Sequence, residues 1–248
     1  MTLLFRDRRS PNEAPRARPD RIDMLVLHYT GMESARGALE RLCDPESKVS
    51  AHWLVEEDGS LWRLVCEERR AAHAGQSFWA GESGLNDVSI GVEIVNPGHD
   101  WGYRPFPAAQ MAALIELCRE ILGRRQIPPD RVLGHSDIAP DRKKDPGELF
   151  DWPALARAGI GIWPRPSPRA VEGRDVALRL SERAAAIADL AAIGYGVDQG
   201  RESAALSAFQ RRFRPALWDG RLDRETAIRL AEVRRAFDAA RGGKSGAS

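Results

Sequence analysis

Between residues 163 and 169 the chain reads Trp163-Pro164-Arg165-Pro166-Ser167-Pro168-Arg169, with a proline at every second position. Each proline fixes φ, removes a backbone donor and pushes the residue before it out of the helical region, so this segment can neither continue a helix nor sit inside a sheet. Such a run is a semi-rigid, extended connector. It divides a chain of 248 residues, long enough for one large domain plus a small one, into parts of different character. Ahead of it, apolar runs alternate with helical periodicity; beyond it only helical periodicity remains. The expected organisation is a larger unit over residues 1–163, a linker over 164–174, a three-helix unit over 175–241 and a disordered tail over 242–248.

The larger unit reads as an α/β domain with a mixed sheet flanked by helices. Residues 6–21 carry six arginines and three prolines without apolar period, which predicts an extended lead-in across the surface. Ile22-Asp23-Met24-Leu25-Val26-Leu27-His28 reads as a mostly buried strand with His28 at its C-terminal end, where α/β sheets display ligands. A helix is expected over 34–42, and Glu57-Asp58-Gly59-Ser60 predicts a hairpin turn between strands over 50–56 and 61–65. Residues 73–87 are expected to form a long loop over one end of the sheet. In the strand over 89–96, Ile90, Val92 and Ile94 share one face, and Gly91, Glu93 and Val95 the other. Apolar residues from Met111 to Leu122 recur at helical spacing, and Gly123 is the expected stop. A short helix over 149–156 closes the unit, and helices carrying Leu206, Phe209 and Phe213, then Ile228, Leu230 and Val233, follow one that ends at Gly194. A helical unit this small gains from docking on its neighbour.

Composition excludes some functions. Lys plus Arg number 37 against 36 Asp plus Glu, so the net charge of +1 gives no electrostatic reason for a nucleic acid or an anionic membrane as partner. Three widely spaced cysteines form neither a disulfide framework nor a Cys-x-x-Cys knuckle and are expected in or near the core. The N-terminal apolar run is too short for a secretory signal and no 18-residue apolar stretch occurs, so the chain as it stands is expected in the cytoplasm, or in the periplasm if its natural N-terminus was longer. Oligomeric state is left open by the sequence.

Ionisable side chains concentrate in the turn-rich stretch Gly134-His135-Ser136-Asp137-Ile138-Ala139-Pro140-Asp141-Arg142-Lys143-Lys144-Asp145-Pro146-Gly147. A catalytic zinc needs three protein ligands and one open position; His28, His135 and Asp145 can supply the ligands if the connection from Ser136 to Lys144 loops back. The same three residues fit a buried strand-end histidine, a turn histidine and a helix cap, and no short metal signature decides between these descriptions. Glu93, a carboxylate on an otherwise apolar face, is suited to take a proton from a water at such a site, or to pair with an arginine. Lys143 can point a cation at a developing oxyanion, or be as solvated as Lys144. His73, in its glycine-bearing loop, and His52, on a strand, are candidate substrate- or ligand-orienting imidazoles, and His99 is expected at the surface.

These blocks, in this order, resemble the zinc-dependent N-acetylmuramoyl-L-alanine amidases of the type 2 amidase family. The resemblance rests on Leu27-His28-Tyr29-Thr30, Val49-Ser50-Ala51-His52-Trp53, His73-Ala74-Gly75, Leu85-Asn86-Asp87-Val88-Ser89-Ile90-Gly91-Val92-Glu93 and the stretch from Gly134 to Gly147. Trp53 stands where many relatives have tyrosine, a change for packing more than chemistry. Residues 208–215 with 219–226 resemble a three-helix peptidoglycan-binding module.

The resemblance implies His28, His135 and Asp145 as Zn2+ ligands, Glu93 and Lys143 as the catalytic pair, and His73, His52 and Asn86 as substrate-binding residues. It implies hydrolysis of the amide between the lactyl group of N-acetylmuramic acid, in plain or 1,6-anhydro form, and L-alanine, with peptidoglycan fragments as the partner and no organic cofactor. The same fold serves receptors that bind peptidoglycan without cutting it; those typically lack a zinc ligand, so the intact set favours the enzyme. Asp137 and Asp141 are left with the task of holding the loop.

Overall fold

The computed structural model describes residues 4–168, 177–198 and 200–242. A six-stranded mixed sheet carries the site. Its strands are β1 (Arg6–Asp7), β3 (Met24–Tyr29), β4 (Trp53–Val55), β5 (Leu61–Arg63), β9 (Ser89–Ile94) and β10 (Val132–Gly134), in the order β1-β5-β4-β9-β3-β10. The pairings β4·β9, β9·β3 and β3·β10 are parallel, while β5 returns antiparallel to β4 through the expected turn. The remaining strands form two small ribbons: β2 (Glu13–Pro15) pairs with β6 (Arg69–Ala71), and β7 (Phe78–Trp79) with β8 (Glu82–Ser83).

Alternation along β3 and β9 sorts the core into layers, because successive side chains leave opposite faces of a strand. Leu25, Leu27, Ile90, Val92 and Ile94 face α2 (Ala108–Arg125) and α4 (Trp152–Arg157), packing on Met111, Leu114, Cys118, Ile121 and Leu155. Each of these fully buried aliphatic side chains contributes about 1.5–3 kcal/mol relative to exposure. On the other face, Leu54 and Val95 pack under α1 (Ala35–Leu42), whose Ser34 cap accepts from the Gly37 amide. Met24, Val26 and Leu133 on that face pack against α3 (His135–Ile138) and the C-terminal helices α5 (Leu180–Ile193), α6 (Glu202–Phe213) and α7 (Arg224–Gly242). His28, Gly91 and Glu93 lie on this second face, between what α1 covers and what the C-terminal helices cover.

Three expectations are corrected. The lead-in is not merely laid across the surface: β1 and β2 are paired strands, and Arg16, only 6% exposed, donates to the carbonyls of Glu67, Asn86 and Ser89. The segment over 73–87 is not one loop, since it holds the β7–β8 ribbon and a 3-10 turn over Leu85–Asp87. Gly123 does not stop α2, which runs on to Arg125 and ends at Gln126 in the left-handed region (φ 52°). Glycine inside a helix costs only about 0.5–1 kcal/mol relative to alanine, which the packing of α2 on the sheet outweighs. Cys118 is buried and Cys43 and Cys66 are half-buried thiols, all free. The tail over 243–248 and most of the linker, residues 169–174, lie outside the described residues.

Candidate active site

Register places the first pair of functional groups. His28 and Glu93 are partners across β3 and β9, and Gly134 pairs with Leu27, so His135 leaves the sheet beside His28. The chain then returns. Ser136 N donates to Asp145 O at 2.8 Å, with Ala139 N to His135 O at 3.0 Å and Lys143 N to Ala139 O at 3.0 Å inside the turn. Gly134 permits the return, because a Cβ there would meet Pro146 Cδ at 2.7 Å. Tyr103 fastens its end, donating to Pro146 O at 2.7 Å and accepting from Leu149 N at 3.0 Å.

Three ligand-type atoms converge as a result. His28 Nδ1, His135 Nδ1 and Asp145 Oδ2 are separated pairwise by 2.9, 3.1 and 3.0 Å, and all three residues are buried. The hydrogen bonds behind them settle the tautomers. Ser89 Oγ donates to Leu85 O at 2.6 Å and so accepts from His73 Nε2 at 3.2 Å; His73 Nδ1 then accepts from His28 Nε2 at 3.0 Å. His28 therefore turns an unprotonated Nδ1 towards the other two residues. His135 Nε2 donates to Ala74 O at 3.2 Å, leaving its own Nδ1 unprotonated as well. Two lone pairs and a carboxylate oxygen facing one point repel each other unless a cation joins them, and two imidazoles plus a carboxylate are a donor set that suits zinc.

Burial dominates the titration of the groups around this point. Burial, with His135 next to it, lowers His28 to about 4, so it stays neutral near pH 7. Burial alone would raise Asp145; positive charge or a donated proton at His135 and His28 lowers it well below its usual range, and a cation joining the three would take the place of that proton. Glu93 goes the other way: burial and then the Asp145 charge push it well above an ordinary carboxyl, with Lys143 opposing. Its Oε2 has no hydrogen-bond partner. His73, Glu93, His135, Lys143 and Asp145 all line one cavity of about 610 Å3, as do Tyr29, Arg41, His99, Trp101 and Arg142.

His73 thus reaches the cavity but also stands directly behind His28. His52 and Asn86 are elsewhere. His52 is fully buried: its Nδ1 accepts from Gly91 N at 2.9 Å, and its Nε2 donates to Arg69 O at 3.1 Å beside the Arg16 guanidinium. Asn86 Oδ1 accepts from the amides of His73 and Ala74 at 3.1 and 2.8 Å, fixing the turn that carries His73. Both are behind the cavity wall and not in it. His99, expected at the surface, is instead part of that wall, its side chain 15% exposed and bonded to Tyr29 Oη at 2.9 Å and Glu148 Oε2 at 3.0 Å. Arg142 donates to the carbonyls of Ala74 and Gln76, tying the His135 turn to the His73 turn. No pattern in the sequence marks either role.

A buried His-His-carboxylate cluster that could hold a metal ion, beside a glutamate with an unpartnered Oε2 at the strand ends of a mixed α/β sheet, is a site of the kind that hydrolases use. Residues 18–148 match the N-acetylmuramoyl-L-alanine amidase family (Amidase_2), and the chain belongs to that family, whose members hydrolyse an amide. It is 39% identical over 230 residues to the N-acetylmuramoyl-L-alanine amidase AmiD of Escherichia coli, spanning 83% of this chain and 80% of that one. A solved structure of E. coli AmiD, a complex with the substrate anhydro-N-acetylmuramic acid-L-Ala-D-gamma-Glu-L-Lys, superposes with a TM-score of 0.75 at 37% identity, over 86% of this chain and 88% of that one. AmpDh3 of Pseudomonas aeruginosa in complex with anhydromuramic pentapeptide superposes with a TM-score of 0.74 at 35% identity, over 87% and 92% of the two chains. Among the described residues, no helix is long and apolar enough to cross a membrane.

Proposed function

We propose that the protein hydrolyses the amide between the lactyl group of N-acetylmuramic acid and the L-alanine of the stem peptide in peptidoglycan fragments, including 1,6-anhydro forms. The observation that carries this reading is Glu93: a half-buried glutamate with a buried, unpartnered Oε2, beside three converging ligand atoms, at the wall of a cavity. His28 Nδ1, His135 Nδ1 and Asp145 Oδ2 would hold the zinc. Bound there, zinc supplies Lewis acidity and a water acidic enough to be deprotonated near neutral pH.

The chain's own groups supply the rest. Glu93 takes a proton from water at Oε2 and returns it to the departing alanine nitrogen, a double role that a raised carboxyl pKa favours. Lys143, half-buried at the cavity wall, places its ammonium near the carbonyl oxygen where negative charge grows. His73 and Asn86 keep the His28 side of the site in shape, and His52 holds the Gly91 backbone beneath it. Residues 1–163 form the catalytic part in this reading, and 175–241 a peptidoglycan-binding-like unit joined by the proline-rich linker. The two complexes with anhydromuramyl peptides support the substrate class.

Mass spectrometry of products from anhydro and reducing-end muropeptides, offered side by side, tests it. Release of the intact stem peptide with a free L-alanine amine is expected, together with loss of activity on chelation and its return with zinc. Unchanged muropeptides in the presence of zinc would refute the reading.

A further inference from the structure

Asp137 lies inside the turn that joins His135 to Asp145, yet its oxygens are engaged from far along the chain. Oδ2 accepts from Gly134 N at 2.8 Å, which anchors α3 where His135 begins, and from Arg212 Nη1 at 2.6 Å. Oδ1 accepts the Tyr195 hydroxyl at 2.5 Å. Arg212 belongs to α6 and Tyr195 follows α5, so both donors come from the C-terminal helices.

The same guanidinium makes further bonds to the catalytic part. Its Nη2 donates to Val132 O at 3.1 Å, on the strand that leads to His135, and to Ile162 O at 3.3 Å. Its Cζ stands 3.9 Å from the Trp152 ring centroid, and Arg212 O accepts from Trp163 Nε1 at 3.0 Å. Arg212 and Asp137 are 2% and 1% exposed.

A buried ion pair recovers its desolvation cost only with good geometry, so this one is weak evidence for stability. The helices already dock through an apolar cluster that includes Leu133, Ile138, Phe209 and Phe213. What a planar guanidinium adds is direction, since it fixes a carboxylate and neighbouring carbonyls in one relative arrangement. Here the arrangement joins the strand before His135 to the cap of the helix that starts at His135.

We propose that Arg212 and Tyr195 are positioning residues for the metal site: through Asp137 the C-terminal helices hold the His135 turn in its ligand-presenting shape. This role rests on the assignment of His28, His135 and Asp145 as metal ligands. It gives the C-terminal unit a task inside the catalytic reaction, whatever it does with the cell wall.

The test uses the full chain with Arg212→Lys, Tyr195→Phe and, as control, Asp145→Ala. Zinc affinity is measured by chelator competition well below the melting temperature, with near-UV circular dichroism to show that each variant is folded. Support for ligands from outside the coordination sphere is worth roughly 10–100-fold in metal affinity, so Arg212→Lys should lose about tenfold and Tyr195→Phe a smaller factor. Turnover lost by both at limiting zinc should return with excess zinc, which a purely structural role would not produce. A lowered melting temperature with parental zinc affinity in both variants overturns the proposal. If Arg212→Lys does not fold, Tyr195→Phe, which removes one oxygen atom, decides alone, and parental affinity there overturns it. Asp145→Ala separates the two failures: it loses zinc if the ligand assignment is right, and if it keeps zinc the assignment itself is wrong and the positioning role falls with it.

Discussion

His28 and Glu93 stand opposite one another on adjacent parallel strands, so an imidazole bound into the His-His-Asp cluster and an unpartnered carboxyl share one face of the sheet. The separation of tasks between them can be measured. Glu93→Gln keeps the shape of the side chain and removes the proton acceptor. It should bind zinc like the parent while kcat falls by about 10²–10⁴-fold, the usual contribution of a general base. Metal content and steady-state kinetics on a muropeptide check this, and near-parental kcat would take Glu93 out of the mechanism.

Two neighbouring lysines give a matched comparison. Lys143 lines the cavity half-buried, whereas Lys144 is exposed at its edge. Lys143→Met should lower kcat by about 10²–10³-fold with metal retained, as loss of an oxyanion donor does. Lys144→Met should change kcat by less than about threefold, since exposed charges are heavily screened. Equal effects at the two positions would argue that only general electrostatics act here.

Gly91 matters for what it leaves out. A Cβ at this position would stand 2.4 Å from His73 Cγ, a contact that forces the imidazole away. His73 is the acceptor for His28 Nε2, so Gly91→Ala should free His28 to rotate or change tautomer. The expected result is a zinc affinity lower by about 10–100-fold in a protein that still folds, read by chelator competition.

His52 sets a pH dependence of stability. Burial, then the neighbouring Arg16 charge, lowers it from 6.5 to about 3 in the folded chain. The unfolded chain takes up this proton near 6.5 and the folded chain does not, so stability is complete above 6.5 and is lost as pH falls from there towards about 3. The slope contributed is at most about 1.4 kcal/mol per pH unit. His52→Asn keeps an acceptor for Gly91 N; it should be less stable at pH 7 but lose less on going from pH 6.5 to 5. Thermal melts of the zinc-loaded proteins at matched pH values compare the two slopes.

How much of this was legible in the sequence varies with the range of the forces involved. The alternation of Ile90, Val92 and Ile94 against Gly91 and Glu93 is local, and it gave the correct face for every residue of β9 that matters. The hairpin at Asp58-Gly59 and the His28 strand were equally readable, because each is written in consecutive residues. The lead-in strands were not, since β1 and β2 owe their pairing to partners more than fifty residues away and carry no apolar period. The cluster of His28, His135 and Asp145 could be suggested by residue type and was made specific by family resemblance; its closeness comes from strand register and from Ser136 N reaching Asp145 O. The positions of His52 and Asn86 behind the wall, and of His99 in it, depend on bonds such as Gly91 N to His52 Nδ1 that no spacing rule encodes.

The apolar cluster that runs from Met24 and Val26 of the sheet through Trp79 and Ile138 to Leu190, Phe209 and Phe237 ignores the proline-rich boundary altogether. Trp79 alone touches Tyr195 and Phe237, and its backbone neighbour Ala80 donates to Gly194 O at 2.8 Å. Two segments that look separable on paper therefore share a single interior, and heat should take them apart together: one calorimetric transition, with equal van't Hoff and calorimetric enthalpies, rather than two successive melts. For anyone wishing to trim the chain at residue 168, the liability is solubility, because the cut would leave the tryptophan and its companions facing water.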